Sequence, residues 1–159
     1  LVMGDALALI LMRCRGFSSD DFAQFHPGGA LGKQLYLRVK DLYVRNEKPE
    51  VGLDDNLTRV IIEMTHKRLG ATVVIDNGKL VGIITDGDLR RMLMNTTDIE
   101  HVKASQIMTT APKTIEEDAL VVDALHKMRQ NSITQLPVIK DDEYLGIIHL
   151  HDILKEGIF

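Results

Sequence analysis

The sequence predicts an α/β (α+β) fold made of two β-α-β-β-α repeats packed with pseudo-two-fold symmetry. The stretch GIITDGDL at 82–89 recurs 64 residues later as GIIHLHDI at 146–153. The same offset relates 73–75 (VVI) to 137–139 (PVI), so the register holds through the unit. Similarity at a fixed offset over this length is typical of a repeated supersecondary unit. Neither unit of about 60 residues buries much apolar surface alone, so the two are expected to pack together.

Composition and charge exclude several classes of protein. The chain has 159 residues, 45% of them hydrophobic and 26% charged, which is typical of a globular protein rather than a disordered one. A net charge of −4, an aromatic content of 4% and the lack of Trp argue against binding to nucleic acid or to an anionic membrane. Cys14 cannot form an internal disulfide, which favours a reducing, cytoplasmic compartment.

The first unit shows each expected element in turn. An extended segment at Val51 precedes a helix that begins at Asp54-Asp55-Asn56, and two strands, TVVID and LVGIIT, meet at a tight turn over 76–79. A short helix follows the second strand. The apolar face of the first helix has i, i+3, i+4, i+7 spacing; its residues are Leu57, Val60, Ile61 and Met64.

The second unit repeats this order. An extended segment at Thr114-Ile115 leads to a helix predicted to start at Glu116-Glu117-Asp118. The strands LPVIK and YLGIIH flank a turn over 140–143. The helix face consists of Val121, Ala124, Leu125 and Met128, whereas Leu42 and Ile107 are related by 65 residues, which indicates one inserted or lost residue between the copies.

The segment before the repeat predicts helices and a connector. Residues 1–15 have helical apolar spacing and end at Gly16, and Ser18 or Ser19 is expected to cap a short helix, DDFAQF. The turn-forming residues of HPGG lead into 30–40, interpreted as a connector. The sequence begins inside a helical pattern without Met, so a helix truncated at its start is expected. The opening apolar stretch lacks a basic leader and is too short to span a bilayer.

The doubled unit, with G-h-h-T-x-x-D at 82–88 and G-h-h-H-x-x-D at 146–152, resembles a tandem CBS-domain pair over residues 36–157. A second resemblance is narrower. The stretch RGFSSDDFAQFHPGGALGK at 15–33, joined directly to such a pair, resembles the arabinose-5-phosphate isomerase family. It implies that 1–34 are the end of a sugar-isomerase (SIS) domain and a connector, that 35–98 are CBS domain 1, and that 99–159 are CBS domain 2.

The isomerase resemblance implies a parent enzyme that interconverts ribulose 5-phosphate and arabinose 5-phosphate, supplying the sugar Kdo for lipopolysaccharide or capsule. It implies an acid–base role for His26 in the parent, because aldose–ketose proton transfer needs a group that titrates near neutrality. A histidine ending a short helix is the alternative interpretation. Other catalytic groups would lie upstream, so the fragment alone is expected to be inactive.

Thr85 and Asp88 are the principal ligand-binding candidates. Backbone N–H groups at a strand-to-helix turn can receive phosphate oxygens, with Thr85 Oγ as a further donor, and an ionised Asp88 suits the hydroxyls of a ribose. The CBS resemblance implies the same two roles. The alternative is helix capping. Asp86 adds negative charge there, which Arg90 or Arg91 can offset while reaching a phosphate.

The second copy departs from this pattern because His149 replaces the hydroxyl. Phosphate binding there becomes doubtful or pH-dependent, with Asp152 retained. Alternate residues on a strand share a face, so His149 and His151 allow a metal interpretation, but two histidines and one carboxylate are a weak set and no metal is predicted. The CBS resemblance further implies that Thr72, Val73, Thr114 and Pro137 line the clefts.

The function expected from these features is regulatory binding of AMP, ATP or, as end-product feedback, CMP-Kdo, with no required cofactor. A homodimer of CBS pairs and a tetrameric parent are the expected assemblies. One alternative is a purely structural module that dimerises through Leu89, Met92 and Leu93. Another is a CBS pair from a transporter or a nucleotide dehydrogenase, which leaves the stretch at 15–33 unexplained.

Overall fold

A computed structural model describes residues 2–18, 21, 30–95 and 99–159. The helices are α1 Val2–Cys14, α2 Ala30–Tyr36, α3 Lys40–Tyr43, α4 Leu57–Lys67, α5 Asp86–Asn95, α6 Ala104–Ile107, α7 Val121–Asn131 and α8 Leu150–Lys155. The strands are β1 Glu50–Gly52, β2 Ala71–Asp76, β3 Lys79–Thr85, β4 Thr109–Thr110, β5 Ile115–Glu116, β6 Gln135–Lys140 and β7 Glu143–His149. The predicted β-α-β-β-α repeat is confirmed: β1 to α5 form the first unit, and β5 to α8 form the second.

Each unit folds one small mixed sheet. In the first, β1 is parallel to β2, and β2 is antiparallel to β3; in the second, β5, β6 and β7 repeat that arrangement. The predicted hairpin turns are confirmed. Both central residues have positive φ in each turn, Asn77 and Gly78 in one and Asp141 and Asp142 in the other. Such turns match the twist of the flanking strands.

The short helices are exchanged between the units. Helix α3 precedes the first unit in sequence, but its Val39 and Leu42 lie in the hydrophobic core of the second. Helix α6 precedes the second unit, and its Ala104 lies in the core of the first. Backbone hydrogen bonds repeat this exchange, since Val39 N–H donates to Ala119 O at 3.0 Å and Ala104 N–H donates to Asp55 O at 2.8 Å. The N-terminal segment of each half therefore completes the other half.

The exchange explains the glycine shared by the two GII stretches. A Cβ at Gly82 would lie 2.5 Å from Met108 Sδ and 3.0 Å from Met108 Cβ. A Cβ at Gly146 would lie 2.9 Å from the Tyr43 ring. Met108 and Tyr43 each follow or end an exchanged helix, 65 residues apart in sequence. Glycine is needed because the exchanged segment lies directly on the strand backbone.

A cluster of apolar side chains joins the two sheets. It contains Val73 from β2 and Tyr144 and Ile147 from β7, with Leu80 and Ile83 packed against it. Leu80 and Ile83 are the repeat equivalents of Tyr144 and Ile147, so each sheet presents the same face to the other. The expected pseudo-two-fold packing is confirmed. The Tyr144 hydroxyl is buried and donates to Pro49 O at 3.0 Å.

The linkers that follow the exchanged helices differ. Linker A (44–49) leaves α3 as a further helical turn, with Val44 at φ −61° and ψ −15°. Linker B (108–114) leaves α6 extended, with Met108 at ψ 145°, and its Thr109 and Thr110 form β4 against β3. The first sheet therefore has four strands and the second has three.

Two local predictions are wrong, and the two predicted helix faces differ at one position. Helix α7 begins at Val121, not at Glu116, because Glu116 pairs in β5. Residues 30–36 form helix α2 rather than a connector, since the turn-forming residues precede Ala30 and a single helical glycine is tolerated. Ile61 is 45% exposed, whereas its equivalent Leu125 is 5% exposed. The difference arises because Ile158, beyond α8, packs into the core beside Leu125.

Helix α1 confirms the helix predicted over 1–15. It ends at Cys14, and Gly16 shortly after it has a φ of 63°, the left-handed conformation that follows many helices. Asp21 N–H donates to Ser18 Oγ at 3.1 Å, whereas most of the predicted helix DDFAQF lies outside the described residues. Among the described residues, no helix combines the length and apolar character needed to cross a bilayer.

Candidate functional site

Two adjoining cavities open where β3 passes into α5, and together they are called the first cleft. One has a volume of about 190 Å³ and a mostly apolar lining that includes Ile83, Pro112 and Ile133. The other has a volume of about 280 Å³ and a polar lining that includes Asp86, Arg90 and Ser132. Thr85, Ile133 and Gln135 line both cavities. An apolar chamber that continues into a polar one suits a ligand with a flat apolar end and an anionic end.

Thr85 and Asp88 form a reciprocal helix cap. Thr85 N–H and Thr85 Oγ1 donate to Asp88 Oδ2 at 2.8 and 2.6 Å, and Asp88 N–H donates to Thr85 Oγ1 at 3.4 Å. Asp86 N–H donates to Gly70 O at 3.1 Å. The N–H groups of Thr85, Asp86 and Asp88 are therefore paired within the protein, which is contrary to the expectation that the N–H groups of this turn receive a phosphate. Thr85 lines the cleft, but its hydroxyl hydrogen is donated to Asp88, so the expectation of a further donor is wrong.

The Asp88 carboxylate lies behind Thr85 and has several partners. Its Oδ1 accepts from Thr109 Oγ1 at 3.2 Å and is also bound by the Arg91 guanidinium. Burial alone would raise the pKa of Asp88, but the hydrogen bonds from Thr85 and the Arg91 cation outweigh burial and hold the pKa below its usual value. Asp88 faces a separate cavity of about 360 Å³, which Arg91 and Gln106 also line.

The two arginines of α5 have different positions. Arg90 lines the polar cavity, and its Nε donates to Asp86 O at 3.3 Å. Arg91 is turned to Asp88 instead. Lys113 of linker B lines the apolar cavity. Arg90 and Lys113 are therefore the cations that the structure brings to the first cleft.

The equivalent corner between β7 and α8 is called the second cleft. His149 Nδ1 accepts from His151 N–H at 3.0 Å, and the two rings lie edge to face with centroids 4.8 Å apart. Burial, together with His151 and Lys155, lowers the pKa of His149, although Asp152 opposes the change. Burial therefore favours the neutral imidazole, whose Nδ1 lone pair already accepts from His151 N–H.

A residue of linker A occupies the second cleft. Asn46 Nδ2 donates to Asp152 Oδ2 at 2.7 Å and to Ile147 O at 3.0 Å. Asp152 Oδ2 also accepts from His149 N–H at 3.2 Å. The sequence drew no attention to Asn46, because its partners are more than 100 residues away.

Other predicted positions are distributed unevenly. Thr72 and Val73 are fully buried in β2, Pro137 is buried in β6, and Thr114 is half-buried before β5. His26 lies outside the described residues. Most residues that line the first cleft and were missed come from linker B and from the segment between α7 and β6. They are Thr109, Ala111, Pro112, Lys113, Ser132, Ile133, Thr134 and Gln135, and the first unit adds Gly70, Ile83 and Gly87. The repeat offset could have found linker B only if the helix exchange had been known.

Comparisons with known proteins agree with this fold. The CBS domain family model matches residues 39–95 and 104–158. A solved CBS-domain containing protein, ATU1752 from Agrobacterium tumefaciens, is 25% identical with a TM-score of 0.69, over 76% of this chain and 99% of that one. CBS domain protein PAE2072 from Pyrobaculum aerophilum, complexed with AMP, is 22% identical with a TM-score of 0.67, over 74% of this chain and 90% of that one.

The resemblance to arabinose 5-phosphate isomerases is also confirmed. Arabinose 5-phosphate isomerase KdsD from Pseudomonas aeruginosa is 47% identical over 99% of this chain and 49% of its own length. The chain spans about half the length of the curated relatives that it matches. With both repeats matched by the family model and the doubled sheet in place, the chain belongs to the CBS domain family.

Proposed function

We propose that this chain is the regulatory CBS pair of an arabinose 5-phosphate isomerase, and that its first cleft binds an adenine nucleotide or a CMP-sugar. Similarity to KdsD isomerases over 99% of the chain supports the parent activity. Residues 1–34 are then the end of the SIS domain, and 35–98 and 99–159 are the two CBS domains. The parent would interconvert ribulose 5-phosphate and arabinose 5-phosphate in the cytoplasm, toward Kdo, with His26 in its active site.

The observation that carries ligand binding is the first cleft itself. Its apolar chamber has a volume suited to a base, and the adjoining chamber carries Arg90 for a phosphate. Thr109 Oγ1 lies between the apolar chamber and Asp88, so a ribose hydroxyl that displaces it would reach Asp88 Oδ1. AMP bound to a CBS domain protein of the same fold supports this ligand class.

Calorimetric titration of the chain with AMP, ATP and CMP-Kdo tests the assignment. Arg90→Gln removes the cation of the polar chamber and should weaken binding about tenfold or more, since hydrogen bonds to charged groups contribute about 1.5–3 kcal/mol. Arg59→Gln is the matched control, because Arg59 lies on α4 and pairs with Glu63. No binding of any of the three ligands at millimolar concentration would remove the ligand-sensing function.

The regulatory step is tested in the full-length isomerase. A ligand that binds the first cleft should change the rate of arabinose 5-phosphate formation, and Arg90→Gln should remove that response while leaving the basal rate unchanged. A response that persists undiminished in Arg90→Gln would place the regulatory ligand elsewhere.

A second function, the pairing of two chains, is favoured by exposed apolar side chains on α4 and α5. They are Ile61, Ile62, Leu93 and Met94, the last of which is 85% exposed. A homodimer of CBS pairs that covered these side chains would support a tetrameric parent. Met94→Lys should shift the chain toward monomer in sedimentation equilibrium. An unchanged mass distribution, or a monomeric wild-type chain, would count against this function.

A further inference from the structure

In sequence, Asn46 of linker A pairs with Ala111 of linker B, which lines the first cleft. In its contact, Asn46 corresponds to Thr109, since each donates to the aspartate of its strand-to-helix corner. Linkers A and B follow the exchanged helices, and the offset of 65 residues that relates Tyr43 to Met108 also relates Asn46 to Ala111. Ala111 lines the apolar chamber and has a φ of 49°, which turns linker B along the cleft wall. Asn46 instead ends a helical turn, with its N–H donating to Tyr43 O at 2.9 Å. Its side chain is thereby directed into the second cleft.

The amide of Asn46 binds the groups that a ligand would use there. Asp152 is the repeat equivalent of Asp88, and Ile147 is the equivalent of Ile83, which lines the first cleft. Asn46 Nδ2 donates to both Asp152 Oδ2 and Ile147 O, at 2.7 and 3.0 Å. One side chain thus uses both NH₂ hydrogens on the carboxylate and the strand carbonyl of the second cleft.

The repeat equivalents of three residues that line the first cleft are more deeply buried. Ile83, Ile133 and Gln135 are half-buried. Their equivalents are Ile147 at 0% exposure, Leu69 at 8% and Ala71 at 0%, and all three belong to the cluster between the sheets.

Ion pairs hold linker A in this position. Arg45, next to Asn46, binds Glu156 Oε1 at 2.8 Å, and Lys33 of α2 binds Glu156 Oε2 at 2.8 Å. Glu156 follows α8, the helix whose first turn contains Asp152. Linker A is therefore held at both ends of α8, by Arg45 at Glu156 after the helix and by Asn46 at Asp152 in its first turn.

We infer that Asn46 is a built-in occupant of the second cleft, and that it limits each chain to one nucleotide, bound at the first cleft. The choice of the first cleft rests on the proposed function, whereas the closure of the second cleft rests on Asn46 and its contacts. Removing the Asn46 amide frees Asp152 and the Ile147 carbonyl for the hydroxyls of a nucleoside monophosphate.

Calorimetry with AMP measures the stoichiometry. The wild-type chain should bind one AMP per chain, and Asn46→Ala should bind two, the second more weakly. Asn46→Ser, which is shorter and uncharged, cannot reach both Asp152 and the Ile147 carbonyl and should also add a site. Asn131→Ala is the matched control, because Asn131 Nδ2 donates within its own helix to Lys127 O; it should bind one AMP.

The outcomes separate this inference from the proposed function. Two AMP molecules per wild-type chain overturn it, and so does an unchanged stoichiometry in both Asn46 variants. If Asn46→Ala fails to fold, Asn46→Ser and the wild-type stoichiometry decide the question. If the wild-type chain binds no AMP while an Asn46 variant binds one, the nucleotide role of the first cleft fails and the role of Asn46 stands.

Discussion

The two strand-to-helix corners, Thr85–Asp88 and His149–Asp152, share one backbone design and differ in what lies against it. Each aspartate caps its helix by accepting from the N–H of the residue that ends the strand. Linker B lies extended along the first corner as β4 and lines an open cleft. Linker A continues as a helical turn and fills the second corner with Asn46. The difference between the clefts therefore originates in the linkers, which belong to the opposite halves of the chain.

The largest difference in stability effect between the units should appear at Leu125 of α7 and its repeat equivalent Ile61 of α4. Leu125→Ala should lower the free energy of unfolding by about 2–5 kcal/mol, since it leaves a cavity beside Ile158 in a closed core. Ile61→Ala, at the equivalent exposed position, should change it by less than about 1 kcal/mol. Urea unfolding measures both, and equal losses would contradict the asymmetry of the two cores.

Glycine-to-alanine changes should show a smaller difference in the same direction. Gly146→Ala forces a methyl group against the rigid Tyr43 ring, and Gly82→Ala forces one against the more flexible Met108. Both should destabilise the chain by about 1–3 kcal/mol, Gly146→Ala by more. Gly4→Ala is the control in the same urea experiment, because nothing lies within 4 Å of its added Cβ. A neutral Gly146→Ala would show that α3 does not lie on the strand as described.

Asp88→Asn should cost about 1–2 kcal/mol of stability through the loss of the helix cap and of the Arg91 pair. Because the pKa of Asp88 is held below its unfolded value, its contribution is present above about pH 4 and is lost as the pH falls through the folded pKa. Stability measured between pH 7 and pH 2 should therefore fall less steeply in Asp88→Asn than in the wild-type chain. Asp152→Asn provides the comparison in the second unit. Parallel curves for wild type and Asp88→Asn would contradict the assigned role of Asp88.

The smallest expected effect is a pH dependence found in the second unit alone. The pKa of His149 is lowered in the folded state. As the pH falls below about 6.5, the unfolded chain therefore binds more protons than the folded chain, and the free energy of unfolding decreases. His149→Asn keeps a side-chain acceptor for the His151 N–H and does not titrate. Its urea midpoint should fall less between pH 7 and pH 5 than that of the wild-type chain. An identical fall in both would mean that His149 is not protonated on unfolding in this range.

Local sequence patterns predicted most of the fold and little of the candidate site. The repeat offset, the hairpin turn at Asn77-Gly78 and the apolar helix faces depend on residues close in sequence, and the structure confirms them. The predicted start of α7 was wrong because Glu116 pairs with Ile139 in the parallel strands β5 and β6. The exposure of Ile61 could not be predicted, since it depends on where the chain turns after α8.

The site was harder to predict because distant segments build it. Thr85 and Arg90 could be identified as candidates from the strand-to-helix turn alone. Linker B and the loop after α7 reach the same cleft only through the helix exchange, which leaves no pattern in a single sequence. Asn46 illustrates this limit, because nothing around position 46 indicates an amide bound to a carboxylate 106 residues away.

The exchange of α3 and α6 also bears on the origin of the fold. A lone β-α-β-β-α unit with its own short helix would leave a glycine-floored groove on its sheet that its own helix does not cover. Two such units cover both grooves only by exchanging their short helices, as a domain-swapped pair does. The chain thus holds within one polypeptide the arrangement that a swapped homodimer of single units would form. Because each linker belongs to the half opposite the cleft that it contacts, the two linkers differ without altering the exchange: linker B lines the open first cleft, and linker A places Asn46 in the second.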